Sequence, residues 1–98
     1  MVLSNEKYNM EIISYNEKMS LISQAIYQAL ETEIIALEID WEEFQIKPVE
    51  QTEVFGYDYE IVVGYNDQIE YYFIFNDDYD LVFKSKNVEE IDEYFNNL

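Results

Sequence analysis

The sequence contains no cysteine, no histidine and no arginine, and it has only two glycines and one proline. Each absence removes a kind of chemistry. Without cysteine there is no disulfide framework and no thiolate metal site. Losing histidine as well takes away the usual general base alongside the best nucleophile. Lacking arginine, the chain has no planar fork to clamp a phosphate or carboxylate. Gly56 and Gly64 stand inside a strand-like pattern, not in a phosphate-cradling loop, so they read as bulges or points of close backbone approach. Positive charge is nearly missing too: five lysines face 22 carboxylates, for a net charge of −17. Small domains ordinarily carry a magnitude of roughly 2–8. Self-repulsion at such a charge opposes compaction.

These absences narrow the partners. Nucleic acids are held largely by Lys and Arg on phosphates, so direct nucleic-acid binding is not expected. Anionic membrane surfaces are disfavoured by the same sign argument. No apolar run is long enough to span a bilayer. The opening Met1-Val2-Leu3-Ser4-Asn5-Glu6 lacks the basic and apolar regions of a secretory signal, so a cytoplasmic location is expected. No cofactor is expected, and no metal. Asn76, Asp78 and Asp80 match the first, third and fifth positions of a calcium loop, but Leu81 and Asn87 stand where Gly and Glu are required. A hairpin turn is the better reading. Carboxylate pairs suited to glycoside hydrolysis arise by chance at this acid density. The expectation is a protein that is not an enzyme.

What the chain does have is a core. Hydrophobic residues make up 49% of 98 residues, enough for a single packed domain. Tyr8, Ile12, Tyr15, Met19, Ile22, Ile26 and Ala29 recur at alternating spacings of four and three, and Leu21, Ala25 and Leu30 widen the stripe. This predicts a long helix from about Asn5 to about Ile34, with an interruption near Asn16. A rival reading makes residues 8–14 a strand and Asn16 the cap of a shorter helix. The stripe reads first as a core face and second as a homodimer seam.

From Leu37 the period becomes two. Leu37, Ile39 and Trp41 alternate with acids, Phe44 and Ile46 continue after a bulge near Glu42-Glu43, and Lys47-Pro48 ends this predicted strand. Val54 to Tyr65 reads as one uninterrupted strand. A turn at Asn66-Asp67-Gln68 leads to a strand over Ile69–Phe75, and a turn at Asn76-Asp77-Asp78 leads to Tyr79, Leu81 and Phe83. Three-residue turns would keep all the odd positions on one face. Asn87 opens a last helix as N-cap, with Glu90 three residues on as a capping-box variant. The predicted class is α+β: a long N-terminal helix, a four-stranded antiparallel meander and a short C-terminal helix, all in one domain.

The aromatic set Tyr57, Tyr59, Tyr65, Tyr71, Phe73 and Phe75 invites comparison with a base-stacking platform, but its neighbours Asp58, Glu60 and Glu70 are acids, so a sheet core is favoured. Trp41 likewise reads as a core anchor. The acids themselves are the candidate binding groups. Two apart on a strand they are ~6.6–6.8 Å apart, and three or four apart on a helix their Cβ atoms are about 5–6 Å apart. Both spacings approach that of phosphates along a DNA strand. Glu42 and Glu43, Asp58 and Glu60, Glu70, Asp77, Asp78 and Asp80, and Glu89, Glu90, Asp92 and Glu93 are the candidate partner-binding residues.

In size, charge, lack of cysteine and α+β layout the chain resembles the small acidic nucleic-acid mimics of viruses and mobile elements. These include anti-CRISPR proteins, uracil-DNA glycosylase inhibitors and restriction inhibitors. No motif carries the likeness. It implies inhibition of a DNA- or RNA-acting protein by occupation of its basic nucleic-acid site. The alternatives are an immunity protein or antitoxin that neutralises a basic toxin such as a nuclease, and a dimeric adaptor.

Overall fold

Apolar residues at helical spacing run from Met19 to Ile34, and this stretch is helical. The computed structural model describes residues 15–98. Helix α1 covers Tyr15–Ala29 and α2 covers Glu31–Ala36, separated by one turn residue, Leu30. Helical bonding continues across the joint, with Leu30 N–H donating to Ile26 C=O at 3.0 Å and Ile34 N–H to Leu30 C=O at 2.8 Å. Ile22, Ile26, Leu30 and Ile34 form the buried stripe. Fully buried aliphatic side chains contribute about 1.5–3 kcal/mol each. The stripe therefore faces this chain's own sheet, and between Met19 and Ile34 it is not free to serve as a dimer seam. Its continuation through Tyr8 and Ile12, and the rival strand over residues 8–14, lie outside the described residues.

The strand expected from Leu37 does not form there. Ile39 N–H donates to Ile34 C=O at 3.0 Å and Glu38 N–H to Ile35 C=O at 3.3 Å, and Glu38 takes φ +53°. This is a Schellman stop, with buried Ile34 and Ile39 as its apolar contact. Glycine usually signals such a stop, and here a glutamate holds the left-handed position, which is why alternation at Leu37, Ile39 and Trp41 reads falsely as strand. Asp40 then caps a 3-10 turn over Trp41–Glu43 by accepting from Glu42 N–H at 3.0 Å.

Four antiparallel strands follow in the order β1-β2-β3-β4. They are β1 (Gln45–Val54), β2 (Tyr57–Tyr65), β3 (Glu70–Phe75) and β4 (Leu81–Ser85). Pro48 does not end β1. It pairs with Val62, and the register shifts between Pro48 and Glu50. A proline at a bulge is tolerated because, among the described residues, β1 is an edge strand with no ladder partner on its outer side. Val54–Tyr65 is not one strand either. Phe55 (φ +53°) and Gly56 (φ +82°) form a two-residue turn between the paired Val54 and Tyr57. Two successive positive φ angles mark a type I′ hairpin.

The turns also correct the expected face assignment. Asn66 N–H donates to Ile69 C=O at 2.9 Å, closing Asp67-Gln68 as a two-residue turn. An even-numbered turn sets positions of opposite parity in β2 and β3 against each other, as in Val62↔Phe73 and Ile61↔Ile74. The odd stripe is thereby split between two faces. One face carries Val62, Gly64, Tyr71, Phe73 and Phe75 and packs with Ile22, Ile26, Leu30 and Ile34. The other is covered by the C-terminal helix α3 (Val88–Asn96), through Phe83 stacked on Tyr94 at 5.0 Å and Tyr59 edge-on to Phe95 at 5.6 Å. The sheet is therefore the middle of three layers, which is why β3 is apolar on both faces.

Gly64 marks the close approach anticipated for it: a Cβ there would lie 2.7 Å from the Phe44 ring. Asn87 caps α3 as expected, accepting from Glu89 N–H at 2.9 Å. Glu90, however, does not close the box directly. Asn87 N–H donates to Ser85 Oγ at 2.9 Å, and the Ser85 hydroxyl donates to Glu90.

Candidate protein-binding surface

Antiparallel register sorts the acids by end of the sheet. The β1–β2 turn and the β3–β4 turn share one end, and the β2–β3 turn and the start of β1 share the other. At the first end stand exposed Glu53, Asp58, Asp77, Asp78 and Asp80. The β3–β4 turn is tied by Asn76, whose Oδ1 accepts from Asp78 N–H at 3.0 Å and Asp80 N–H at 2.9 Å. This fixes the backbone of the turn and leaves its carboxylates facing solvent. At the second end Glu43 joins Glu38, Asp40 and Asp67 around a cleft of about 610 Å³ that Tyr65 and Gln45 also line. Tyr65 donates its hydroxyl to Gln45 at 3.2 Å. Glu42 is exposed on the same 3-10 turn, and Glu89, Asp92 and Glu93 are exposed along α3.

Three of the expected binding acids are engaged within the chain. Glu60 is 7% exposed and meets Lys18 Nζ at 2.6 Å, so it belongs to the helix–sheet core and leaves the candidate surface. It cannot form an exposed phosphate-like row with Asp58, because only Asp58 is exposed. Glu70 accepts from the Tyr72 hydroxyl at 2.7 Å, and that bond, helped by burial, pushes the Tyr72 phenol above its ordinary range. Glu90 is bonded to Ser85. Both keep exposed surface but also organise their own neighbourhoods.

The lysines complete the electrostatic picture. Lys7 lies outside the described residues, and the remaining four each contact the chain itself. Lys18 pairs with Glu60, Lys47 lies over the Tyr65 ring at 5.7 Å, and Lys84 and Lys86 share the Tyr71 ring at 5.1 and 5.4 Å. Burial, then the charge and hydrogen bond of Glu33, raise the Tyr71 phenol. No lysine occurs between Pro48 and Phe83. One lysine is thus turned inward and three lie over aromatic rings at the surface, while negative charge faces out at both ends.

Two groups of exposed residues were not legible in the sequence. Glu38, Asp40 and Asp67 meet only because the chain turns back after α2, across a separation no local pattern reports. Phe55, 81% exposed, and Tyr57 beside it were absorbed into a false strand. The Phe-Gly pair was the available signal, muted because Asn, Asp or Gly is usual at the first turn position. Phe73 and Phe75 are fully buried and Tyr71 nearly so, so the inner part of the aromatic set is core. Trp41 is half-buried, stacked on Phe44 at 5.2 Å, and also a core element.

Among the described residues no cluster of acids is placed to hold a metal ion, and no helix is long and apolar enough to cross a membrane. No known protein family, curated protein or solved structure matches the chain. Charge and geometry therefore carry the functional reading.

Proposed function

We propose that this chain is a non-catalytic acidic inhibitor that occupies the basic nucleic-acid site of a DNA- or RNA-acting protein. The supporting observation is the division of charge. Acids project from both sheet ends and from α3, whereas each described lysine is engaged with a side chain of the same molecule. A basic groove built for phosphates attracts such a surface at long range and accepts carboxylates at similar spacing. The acids are carried on ordered turns and helix faces, so the backbone that bears them need not be ordered on binding.

The experiment is capture on the immobilised whole chain at low ionic strength, followed by challenge with duplex DNA and, separately, with salt. The expected partner is a basic nucleic-acid-acting protein released by both. A partner indifferent to DNA and to salt would remove this reading. Release by salt but not by DNA would favour a toxin-neutralising protein, whose partner is basic at a different surface.

A further inference from the structure

We propose that the β1–β2 hairpin is an anchor that inserts Phe55 into an apolar pocket, rimmed by lysine or arginine, on the basic partner. This rests on the reading above that the partner is a basic protein. It adds that charge mimicry alone does not hold the complex.

The hairpin is built at a cost that the fold does not recover. Phe55 has φ +53°, a conformation that a bulky side chain adopts reluctantly and that Asn or Gly would take without strain. Phe55 is 81% exposed and Tyr57 is 63% exposed, so neither buries much apolar surface against the described residues. Nothing lies within 4 Å of a Cβ built on Gly56, so the tip stands clear of the body. Just below it Glu53 and Asp58 are directly paired across the ladder. Like charges in that position repel. Strain, aromatic exposure and repulsion all fall on the six residues Glu53 to Asp58.

Geometry presents this segment outward. Among the described residues Tyr57, Asp58 and Tyr59 pair with β1 alone, since β3 reaches only to the level of Glu60. Two residues at about 3.3 Å each carry the tip roughly 7 Å past Tyr59, the outermost residue of β2 that packs on α3. An exposed aromatic at such a point is the kind of side chain that dominates binding energy when it fills a desolvated pocket. The two carboxylates beneath it select the rim: a cation bridging Glu53 and Asp58 converts their repulsion into attraction. The same charges argue against a second copy of this chain, at −17, as the occupant. They equally disfavour nucleic acid and anionic lipid.

The test is photocrosslinking in native-cell extract with p-benzoylphenylalanine replacing Phe55 in the whole chain, the crosslinked peptide being identified by mass spectrometry. The expected crosslink is to one basic protein, at an apolar segment bordered by Lys or Arg. Unlabelled parent chain competes it away, and Phe55→Asn needs about 30-fold more to do so. The folding of Phe55→Asn is checked by its denaturation midpoint, expected at or above the parent's. The proposal is overturned by the absence of a competed crosslink. It is equally overturned by a crosslink to a second copy, an acidic protein or lipid, or by equal competition from Phe55→Asn. A crosslink meeting the terms above but indifferent to duplex DNA and salt keeps the anchor and removes nucleic-acid mimicry. A DNA-displaced partner that Phe55→Asn binds as tightly as the parent does the reverse.

Discussion

The two parts of β2 follow different rules. From Glu60 to Tyr65 the strand lies between helical layers, its residues alternate between two apolar environments, and its one carboxylate is neutralised by Lys18. From Tyr57 to Tyr59 it has β1 as its only ladder partner among the described residues, and it ends in a turn held by a strained, exposed phenylalanine. The inner part obeys packing at every position. The outer part violates three preferences within a few residues. Violations of that kind concentrate where function sets the sequence.

Substitutions that separate the two parts break or sharpen this contrast. The largest effect is expected from Phe73→Ala, which should cost about 3–5 kcal/mol, against about 0.5 kcal/mol or less for Phe55→Ala. Urea denaturation of the two variants measures both, and comparable losses would erase the distinction. Next comes Gly64→Ala. Its Cβ would press on the Phe44 and Phe73 rings at 2.7 and 3.1 Å. A loss of about 1–3 kcal/mol is expected, as for other overpacked sites. Third, Glu60→Gln leaves Lys18 facing the core without its partner, for a loss of up to about 3 kcal/mol. Asp58→Asn, by contrast, relieves repulsion with Glu53 and should leave stability unchanged or slightly raised.

A pH effect falls on β3 and α3, the elements packed beside the inner part. Burial raises the Tyr71 and Tyr94 phenols, and the Glu70 hydrogen bond raises Tyr72. The folded chain therefore keeps these protons after the unfolded chain has begun to release them at about pH 10. Stability is unaffected by them below that point and falls as pH rises toward their folded values. Tyrosinate absorbance followed alongside unfolding should show a late-titrating subset, and release of all the phenols near pH 10 in the folded chain would contradict it. One substitution is expected to give a gain: Phe55→Asn removes the strain at the tip and should stabilise the chain by about 0.5–1 kcal/mol.

Much of the fold could be read from residue order, though with displaced boundaries. The helical stripe, four strands and the capped last helix all exist. The failures have specific causes. Glu38 ends a helix where glycine would have announced the stop, so a strand was expected eight residues too early. Pro48 looked like a terminator because nothing in the sequence says that β1 is an edge. The turn after Tyr65 looked like three residues, and that error, with the bulge that separates Leu81 from Phe83, assigned the sheet faces wrongly. The candidate surface was less legible still. Its acids could be named, but Glu60 could not be distinguished from Asp58 without knowing that Lys18, on a helix 42 positions away, lies over one and not the other.

Residue order alone determined composition and its consequences: a chain of net charge −17 without cysteine, histidine or arginine, apolar enough to fold. Those follow from side-chain chemistry, which needs no coordinates. Tertiary structure alone decided which charges are available. Exposure and pairing depend on register, on turn parity and on what the helices cover. These are long-range properties that no local window of sequence contains.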